Sequence, residues 1–262
     1  MDDFGEMIAR LDLRLFRHIE SQTTENDRRS LLALQLAFRQ QPKPFVYLEI
    51  GSHLGGSLQG LVVDPHCCQI VSIDPRPLSQ PDERGPTFHY SDNSTSRMLH
   101  LLRQIPGGNV DKVHTIDAGT DTISPASLPY RPDLCLVDGE HTDAAMLRDA
   151  NFCLEVVQSS GCIAFHDAQI VYHGLRQFIQ HLTERSLSFR AYTLPDCVFV
   201  VEFGSCAISQ CPHIQAMLVN NYQAYLWSLL ANDEYRQTCR RPLFRLLRKL
   251  DAKWRRLVSR RR

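Results

Sequence analysis

The chain of 262 residues contains no apolar run long enough to form a membrane-spanning helix. Its first six residues carry three acids and no base, which argues against a secretory signal peptide. Internal repeats and low-complexity linkers are also missing from the sequence. Together these absences predict a globular protein of the cytoplasm.

Paired cysteines are also lacking. The nine cysteines are odd in number, and none of them forms a C-x-x-C pair. Several lie in apolar runs, where a free thiol packs as a small hydrophobic side chain. We therefore expect a reducing compartment and no zinc site.

Net charge is absent, but the balance of charges is uneven along the chain. Residues 236–262 hold twelve Lys or Arg and one acid, which leaves the remainder acidic. From Pro242 onward an apolar stripe runs among the basic residues, which predicts an amphipathic helix. Such a helix either lies peripherally on an anionic membrane or against an acidic partner, or packs on the domain with a solvated basic face. The acidic remainder argues against nucleic-acid binding.

Alternating strand and helix patterns fill the middle of the chain. We predict an N-terminal helical cap over 1–44, a core over 45–204 and a C-terminal helical extension over 205–262. Near-continuous apolar strands predict a doubly wound, Rossmann-like, mostly parallel α/β sheet. The short connection at 194–197 makes the last two of seven strands a reversed antiparallel hairpin. The predicted strands are 45–50, 69–73, 112–116, 133–137, 161–165, 188–193 and 198–202. The predicted helices after residue 45 are 56–63, 94–104, 123–128, 142–158, 171–183 and 213–235.

A glycine turn follows the first strand, over residues 51–57. Gly51, Gly55 and Gly56 permit positive φ and a close approach of a ligand to the backbone. The spacing departs from the dinucleotide fingerprint G-x-G-x-x-G, because His53 occupies its second glycine position. Taken alone, the pattern is typical of a ligand turn or of an ordinary tight strand-to-helix turn.

Two acids follow the next strands toward one edge of the sheet. Asp74 ends the second strand, where a carboxylate accepts hydrogen bonds from both hydroxyls of a ribose. Its alternative role is to start the turn at Pro75. Asp117 follows the third strand, where it either meets an adenine or belongs to a polar loop.

Acids and histidines also end the fourth and fifth strands. Asp138 and Asp167 would lie one or two strand spacings apart, where two carboxylates can hold Mg²⁺. His141 and His166 flank them, and a histidine can take a proton from a hydroxyl. The alternative is that one Asp caps a helix and the histidines are polar wall residues.

These residues together resemble the class I S-adenosylmethionine-dependent methyltransferases over residues 45–204. The run E-I-G-S-x-x-G-G-S at 49–57 resembles their first motif, and Asp74 matches the acid after their second strand. Residues 137–167 resemble the signature DG-x-H…D…GG-x-I-x-x-HD of a narrower subgroup. That subgroup contains small-molecule O-methyltransferases, macrolide-sugar methyltransferases and cephalosporin hydroxylase-like proteins. Ser160 stands where the signature has its first glycine.

The resemblance implies a role for each matched position. The glycine turn would line the methionine end of S-adenosylmethionine, and Asp74 would hold the ribose. Asp138, His166 and Asp167 would lie near the sulfonium and the acceptor, and the corresponding acids bind Mg²⁺ in some relatives but not in others. The residues predicted to bind the cofactor are Glu49, Gly51, Ser52, Gly55, Ser57, Asp74, Asp117 and Asp138. The predicted catalytic residues are His141, His166 and Asp138, and the predicted metal ligands are Asp138 and Asp167.

The predicted function is methyl transfer to a hydroxyl of a small-molecule acceptor such as a sugar, a polyketide or a phenol. Two other classes remain as alternatives. One is a nucleotide-cofactor enzyme of the nicotinamide type, and the other is a non-catalytic protein that binds S-adenosylmethionine or serves in assembly.

Overall fold

The computed structural model describes residues 4–85, 87–243, 246–247 and 250. Its centre is a sheet of seven strands, and a separate two-stranded ribbon lies outside that sheet. The strands of the large sheet are β1 (Phe45–Ile50), β2 (Cys67–Ile73), β5 (Val113–Ile116), β6 (Leu134–Val137), β7 (Cys162–Phe165), β8 (Phe189–Thr193) and β9 (Phe199–Phe203). The ribbon pairs β3 (Ser79–Gln80) with β4 (Phe88–His89). Sequence patterning did not predict this ribbon.

The described residues form eight α-helices. They are α1 (Phe4–Ala9), α2 (Glu25–Arg39), α3 (Gln59–Val63), α4 (Thr95–Arg103), α5 (Asp143–Val156), α6 (Tyr172–Glu184), α7 (Pro212–Gln215) and α8 (Tyr222–Arg240). Of these, α3, α4 and α5 lie between parallel strands, as predicted. The predicted helix over 123–128 is a single 3₁₀ turn at Pro125–Ser127. The predicted helix over 213–235 is wrong as one element, because the chain leaves the helix after Gln215 and resumes it at Tyr222. Between them, Val219 forms an isolated bridge with Thr193 at the end of β8.

The strand order in the large sheet is β5-β2-β1-β6-β7-β9-β8. The first five strands are parallel, while β9 runs antiparallel to both β7 and β8. The register places Ile50, Val137 and Phe165 level with one another. The residues after β1, β6 and β7 therefore meet at one edge. The predicted seven-stranded sheet with its reversed hairpin is confirmed.

The apolar strands pack on both faces, which explains their lack of alternation. All four residues of β6 and all four of β7 are buried. Leu32, Leu34 and Phe38 of α2 are buried in the same hydrophobic cluster as Phe45 and Tyr47 of β1. Burial of such side chains stabilises each by roughly 1.5–3 kcal/mol relative to exposure.

The N-terminal segment is fastened to the glycine turn by one buried side chain. The Gln59 Oε1 atom accepts hydrogen bonds from the backbone N–H of His18 and of Ile19, both at 2.9 Å. Its Nε2 atom donates to the carbonyl oxygens of Ile19 and Gly56, both at 2.8 Å. Because buried amides need such partners, the position of the segment before α2 is coupled to the turn after β1.

The chain divides after Tyr222 into two compact units. The first contains the sheet and its helices, and the second begins with the rest of α8. The three-part division at residues 44 and 204 stays a prediction. The predicted basic amphipathic helix lies largely outside the described residues. Within the described ranges, no helix is both long and apolar enough to cross a membrane.

Candidate functional site

A cavity of about 620 Å³ opens at the edge where the parallel strands end. Ligand pockets in proteins have volumes of this order, and α/β sheets place them at this edge. Eight of the predicted site residues line it: Gly51, Ser52, Ser57, Asp74, Asp138, His141, His166 and Asp167. The other predicted site residues, Glu49, Gly55 and Asp117, are not among the lining residues.

The glycine turn brings the ends of β1 and β6 into close contact. Gly51 has a φ of +91°, and a Cβ there would lie 2.1 Å from the Asp138 carbonyl oxygen. No side chain fits in that space. Gly55 serves the packing of α4, because a Cβ there would meet Met98 and Leu102 at 3.2 Å. The helix after the turn begins at Gln59 and is therefore shorter than the predicted 56–63.

Glu49 lies behind the turn and does not line the cavity. Its carboxyl accepts hydrogen bonds from the Ser57 hydroxyl and from the Tyr47 hydroxyl, the latter at 3.1 Å. Burial, with the nearby charge of Asp138, raises the pKa of Glu49 to about 8. The side chain thus supports Ser57, which does line the cavity.

Asp74 is buried at the cavity wall and is held from two sides. Its Oδ2 accepts from the His53 backbone N–H at 2.8 Å, and its Oδ1 accepts from the Arg76 N–H at 2.7 Å. The Arg76 guanidinium adds a contact at 3.3 Å. A carboxylate offers about four lone-pair sites, so Asp74 retains acceptor capacity for a diol. Asp117 is exposed and accepts a hydrogen bond from the Thr95 hydroxyl.

His53 gives the cavity wall a polar atom without a partner. Its Nε2 is buried and has no hydrogen-bond partner among the described residues. The ring packs edge-on against Tyr90, with centroids 5.2 Å apart, and both residues line the cavity. Since buried polar atoms are normally paired, this nitrogen fits a site that receives a polar ligand.

His166 lies at the centre of the acidic side of the cavity, with only 8% of its side chain exposed. Its Nδ1 is 3.0 Å from Asp138 Oδ1 and 3.3 Å from Asp167 Oδ2. Burial would lower the pKa of His166, but the surrounding carboxylates, Asp138 first among them, hold it well above the ordinary value. A protonated imidazole donates and cannot accept a proton, so this arrangement does not suit a general base.

His141 is held between two carboxylates of the same cavity. Its Nδ1 lies 3.1 Å from Asp82 Oδ2, and its Nε2 lies 3.1 Å from Asp167 Oδ2. Asp82 is itself buried and accepts two hydrogen bonds from the Arg84 guanidinium, at 2.6 and 2.7 Å. Those bonds hold the pKa of Asp82 down to about 2, so it stays ionised beside His141.

Two contacts fasten the segment after β3 to the loop that carries His141. Asp82 forms an isolated parallel bridge with His141, and the Glu83 N–H donates to the His141 carbonyl at 2.9 Å. The Glu83 carboxylate in turn accepts from the Asp143 N–H at 2.9 Å. The orientation of His141 therefore depends on a segment far from it in sequence.

Three side chains at this side were not predicted as site residues: Asp27, Asp82 and Cys197. Asp27 lies in the first turn of α2, where it forms a capping box with Thr24. The sequence shows the cap, but it does not show that the carboxylate also reaches His166. Asp82 and Cys197 come from connecting segments with no recognisable motif.

Asp138, His166 and Asp167 form a group of potential ligands for a divalent cation, in which the two carboxylates can bind directly and the imidazole only after losing its proton. One ligand atom from each lies within 4.8 Å of the others. Carboxylate oxygens suit Mg²⁺, which takes few protein ligands and keeps several waters. Burial would raise the pKa of Asp167, but hydrogen bonding from His166 and its charge hold it below the ordinary value, so an anion is present.

The strand order, the reversed hairpin and the cavity beside a glycine turn are together the architecture of a class I methyltransferase. Comparison with known families agrees, because residues 48–168 match the family model described as a methyltransferase domain. That stretch, a little under half of the chain, is therefore similar to a methyltransferase domain. No match to the chain is found among curated protein sequences.

Several solved structures are similar to this chain at low sequence identity. The MycE methyltransferase of the mycinamycin pathway, solved with Mg and SAH, is 14% identical with a TM-score of 0.50; the alignment covers 75% of this chain and 54% of MycE. A putative O-methyltransferase from Klebsiella pneumoniae is 15% identical, covering 78% and 91%, with a TM-score of 0.49. The O-methyltransferase TomG from Streptomyces achromogenes, solved with SAM, is 15% identical over the same shares, with a TM-score of 0.48.

Proposed function

We propose that this domain transfers a methyl group from S-adenosylmethionine to a hydroxyl oxygen of a small molecule bound in the cavity. The observation that carries the proposal is the position of His141. It is held by Asp82 and Asp167 in the same cavity as the glycine turn and Asp74. A candidate proton acceptor and a candidate nucleoside-binding site thus line the same cavity.

The cofactor side of the cavity supports binding of a nucleoside. Gly51 and Ser52 leave backbone close to the ligand space, and Asp74 offers acceptor capacity for ribose hydroxyls. When bound, S-adenosylmethionine supplies an activated methyl group on its sulfonium. The carboxylate of Asp138 lines the same cavity and favours a positively charged ligand there.

His141 is the candidate base for the acceptor hydroxyl. In this proposal Nδ1 of His141 donates to Asp82, and Nε2 is the atom that takes the proton of the acceptor. Asp167, at 3.1 Å from Nε2, then stabilises the imidazolium that results. Because acceptor and cofactor are held in one cavity, most of the rate enhancement comes from their positioning.

We also propose that Asp138 and Asp167 hold Mg²⁺ during the reaction. A cation at these carboxylates would lower the pKa of the acceptor hydroxyl and orient its oxygen. Dialysis against a chelator should then lower turnover, and added Mg²⁺ should restore it. Full turnover in the presence of chelator would contradict this part of the proposal.

The acceptor wall supports a hydroxyl-bearing ligand with polar and aromatic contacts. It is formed by the polar residues 20–24, together with Phe88 and Tyr90. Hydroxyl and amide side chains suit sugar hydroxyls, and the rings suit the faces of sugars or phenols. Residues 20–24 lie outside the stretch that matches the family model, and Phe88 and Tyr90 lie within it, in and beside the two-stranded ribbon. The class of acceptor therefore depends in part on segments that the family model does not describe.

Binding followed by turnover tests the proposal. Calorimetry with S-adenosylmethionine and then with NAD should show binding of the first and none of the second. A panel of sugars, polyketides and phenols should then yield S-adenosylhomocysteine and a product heavier by one methylene, measured by mass spectrometry. Binding of NAD alone would favour the nicotinamide alternative. Cofactor binding with no turnover on any member would favour the non-catalytic one.

A further inference from the structure

A second group of potential metal ligands lies on the other side of the His166 ring. Its members are Asp27 in the first turn of α2, His166 after β7, and Cys197 between β8 and β9. All three line the cavity, and Asp27 and Cys197 are buried. The three segments are distant in sequence, so their side chains meet only through the fold.

The potential ligand atoms lie close together, with one atom from each residue within 4.8 Å of the others. The His166 Nε2 lies 3.4 Å from Asp27 Oδ2 and 3.3 Å from Cys197 Sγ. The Cys197 Sγ lies 3.2 Å from the other Asp27 oxygen, Oδ1. Typical zinc–nitrogen, zinc–oxygen and zinc–sulfur bonds, arranged as a tetrahedron, place neighbouring ligand atoms about 3.3–3.6 Å apart. The observed separations of 3.2–3.4 Å are close to these values; the contacts of His166 and Cys197 end on different oxygens of Asp27, one of which would bind the ion.

We propose that Asp27, His166 and Cys197 form a binding site for Zn²⁺, with the fourth position open to the cavity. Nitrogen, thiolate and carboxylate together suit a borderline-soft ion, whereas the Asp138 and Asp167 carboxylates suit Mg²⁺. On binding, the Cys197 thiol and the Nε2–H of the protonated His166 both lose their protons to solvent, which leaves a thiolate and a neutral imidazole as ligands. The sequence pattern predicted no zinc site because the chain has no C-x-x-C pair. The site proposed here does not need such a pair.

The surroundings of His166 support this assignment. When a histidine binds a metal through Nε2, its Nδ1–H normally points to a carboxylate or carbonyl. Here Nδ1 is buried 3.0 Å from Asp138 Oδ1, close enough for that role although not aligned as a directed hydrogen bond. Asp27 is also fixed in place, since its Oδ2 accepts from the Thr24 N–H at 3.0 Å and the Thr24 hydroxyl at 2.8 Å.

Binding of Co²⁺ as a spectroscopic substitute for Zn²⁺ tests the site in the full chain under reducing conditions. Wild-type protein should bind one equivalent and show a thiolate-to-cobalt absorption band in the near ultraviolet, which added Zn²⁺ removes. Excess Mg²⁺ should leave the band unchanged. This measurement needs no acceptor and no methyl transfer, so it is independent of the proposed function.

Four variants locate the ligands. Cys197→Ser and Asp27→Asn should weaken Zn²⁺ affinity by more than the roughly tenfold to hundredfold loss typical of a supporting residue, and Asp138→Asn by about that amount. Cys197→Ser should also abolish the thiolate band. Cys206→Ala is the matched control, because Cys206 is a free thiol that does not line this cavity, and its band should remain.

Alkylation of wild-type protein gives a second readout if the Cys197 variant does not fold. Zn²⁺ should protect Cys197 from iodoacetamide but not Cys206; because no Lys or Arg lies between them, fragmentation in the mass spectrometer locates the modified site. The proposal is overturned if the cobalt band is missing, persists in Cys197→Ser, or disappears on addition of Mg²⁺. Equal alkylation of Cys197 with and without Zn²⁺ would overturn it as well.

Discussion

The two sides of the cavity are built in different ways. The glycine side uses a short stretch after β1 and the single acid Asp74, and much of its surface is backbone and small side chains. The acidic side gathers ionisable side chains from α2, from the segment after β3, from the ends of β6 and β7, and from the last hairpin. A side formed mostly by consecutive residues thus faces a side assembled from distant segments.

This difference predicts how each side responds to substitution. On the glycine side, loss of a side chain should change cofactor affinity and leave the reacting groups in place. On the acidic side, each group positions another, so losses should lower turnover at unchanged cofactor affinity. The first three variants below test that contrast, in order of expected effect, and a fourth tests stability.

The largest effect is expected for His141→Ala. Removal of the base should lower kcat by roughly 10²–10⁴-fold, the usual contribution of a positioned acid or base. Steady-state kinetics and calorimetry measure kcat and cofactor affinity separately, and affinity should not change. His100→Ala, an exposed histidine on α4, is the control. A comparable loss of affinity in His141→Ala would place this residue on the cofactor side.

Asp82→Asn should have the next largest effect. The neutral amide no longer fixes the Nδ1–H of His141, and misplacement of a reacting group costs up to about 10²-fold in kcat. The acceptor KM should change little, and Asp82→Glu should recover part of the loss. Asp111→Asn, on an exposed turn, is the control. A drop in melting temperature without a change in kcat would make Asp82 a structural residue only.

Asp74→Ala should weaken S-adenosylmethionine binding about tenfold to a hundredfold, since hydrogen bonds to a charged group contribute roughly 1.5–3 kcal/mol. Calorimetry measures this directly. Asp117→Ala provides the comparison, because the exposed Asp117 does not line the cavity and its removal should leave affinity unchanged. Unchanged affinity in Asp74→Ala would refute the ribose role, and a loss in Asp117→Ala would support the predicted adenine contact.

The last prediction concerns stability rather than activity, in the variant Glu49→Gln. The folded-state pKa of Glu49, about 8, exceeds its ordinary value of 4.5, so its stabilising contribution is fully present below the unfolded pKa. As pH rises toward 8, the unfolded chain ionises first, and the free energy of unfolding falls by up to about 1.4 kcal/mol per pH unit.

Urea unfolding at pH 5, 6, 7 and 8 measures this dependence. Glu49→Gln cannot ionise, so its unfolding free energy should vary less over the range than that of the wild type. Glu155→Gln removes an exposed carboxyl on α5 and should retain the wild-type slope. Parallel slopes for wild type and Glu49→Gln would show that the buried acid is not neutral near pH 7.

The sequence predicted the sheet because its signals are local. Apolar strands, short connections and the glycine turn each lie within a few consecutive residues, and the seven strands are confirmed with boundaries shifted by at most two residues. The helix over 213–235 failed because its apolar residues continue through 216–221, where a tertiary bridge from Val219 to Thr193 replaces the helix. A tertiary contact of this kind outweighs the helix propensity of the residues around it.

The acidic side was only half predictable for the same reason. Asp138, His141, His166 and Asp167 follow strands and belong to a recognisable pattern. Their partners Asp27, Asp82 and Cys197 come from segments whose local sequence indicates caps and turns. The contacts join residues up to 170 positions apart, a separation at which periodicity carries no information.

The five-bonded amide of Gln59 has a consequence for protein engineering. The Gln59 side chain forms hydrogen bonds with the backbone of residues 16–19 and of Gly56. If the N-terminal segment were exchanged for that of another methyltransferase, the amide would lose the partners in 16–19 unless the new loop supplied equivalent groups. Grafts aimed at a new acceptor should therefore take residues 16–24 and position 59 as one transferable module.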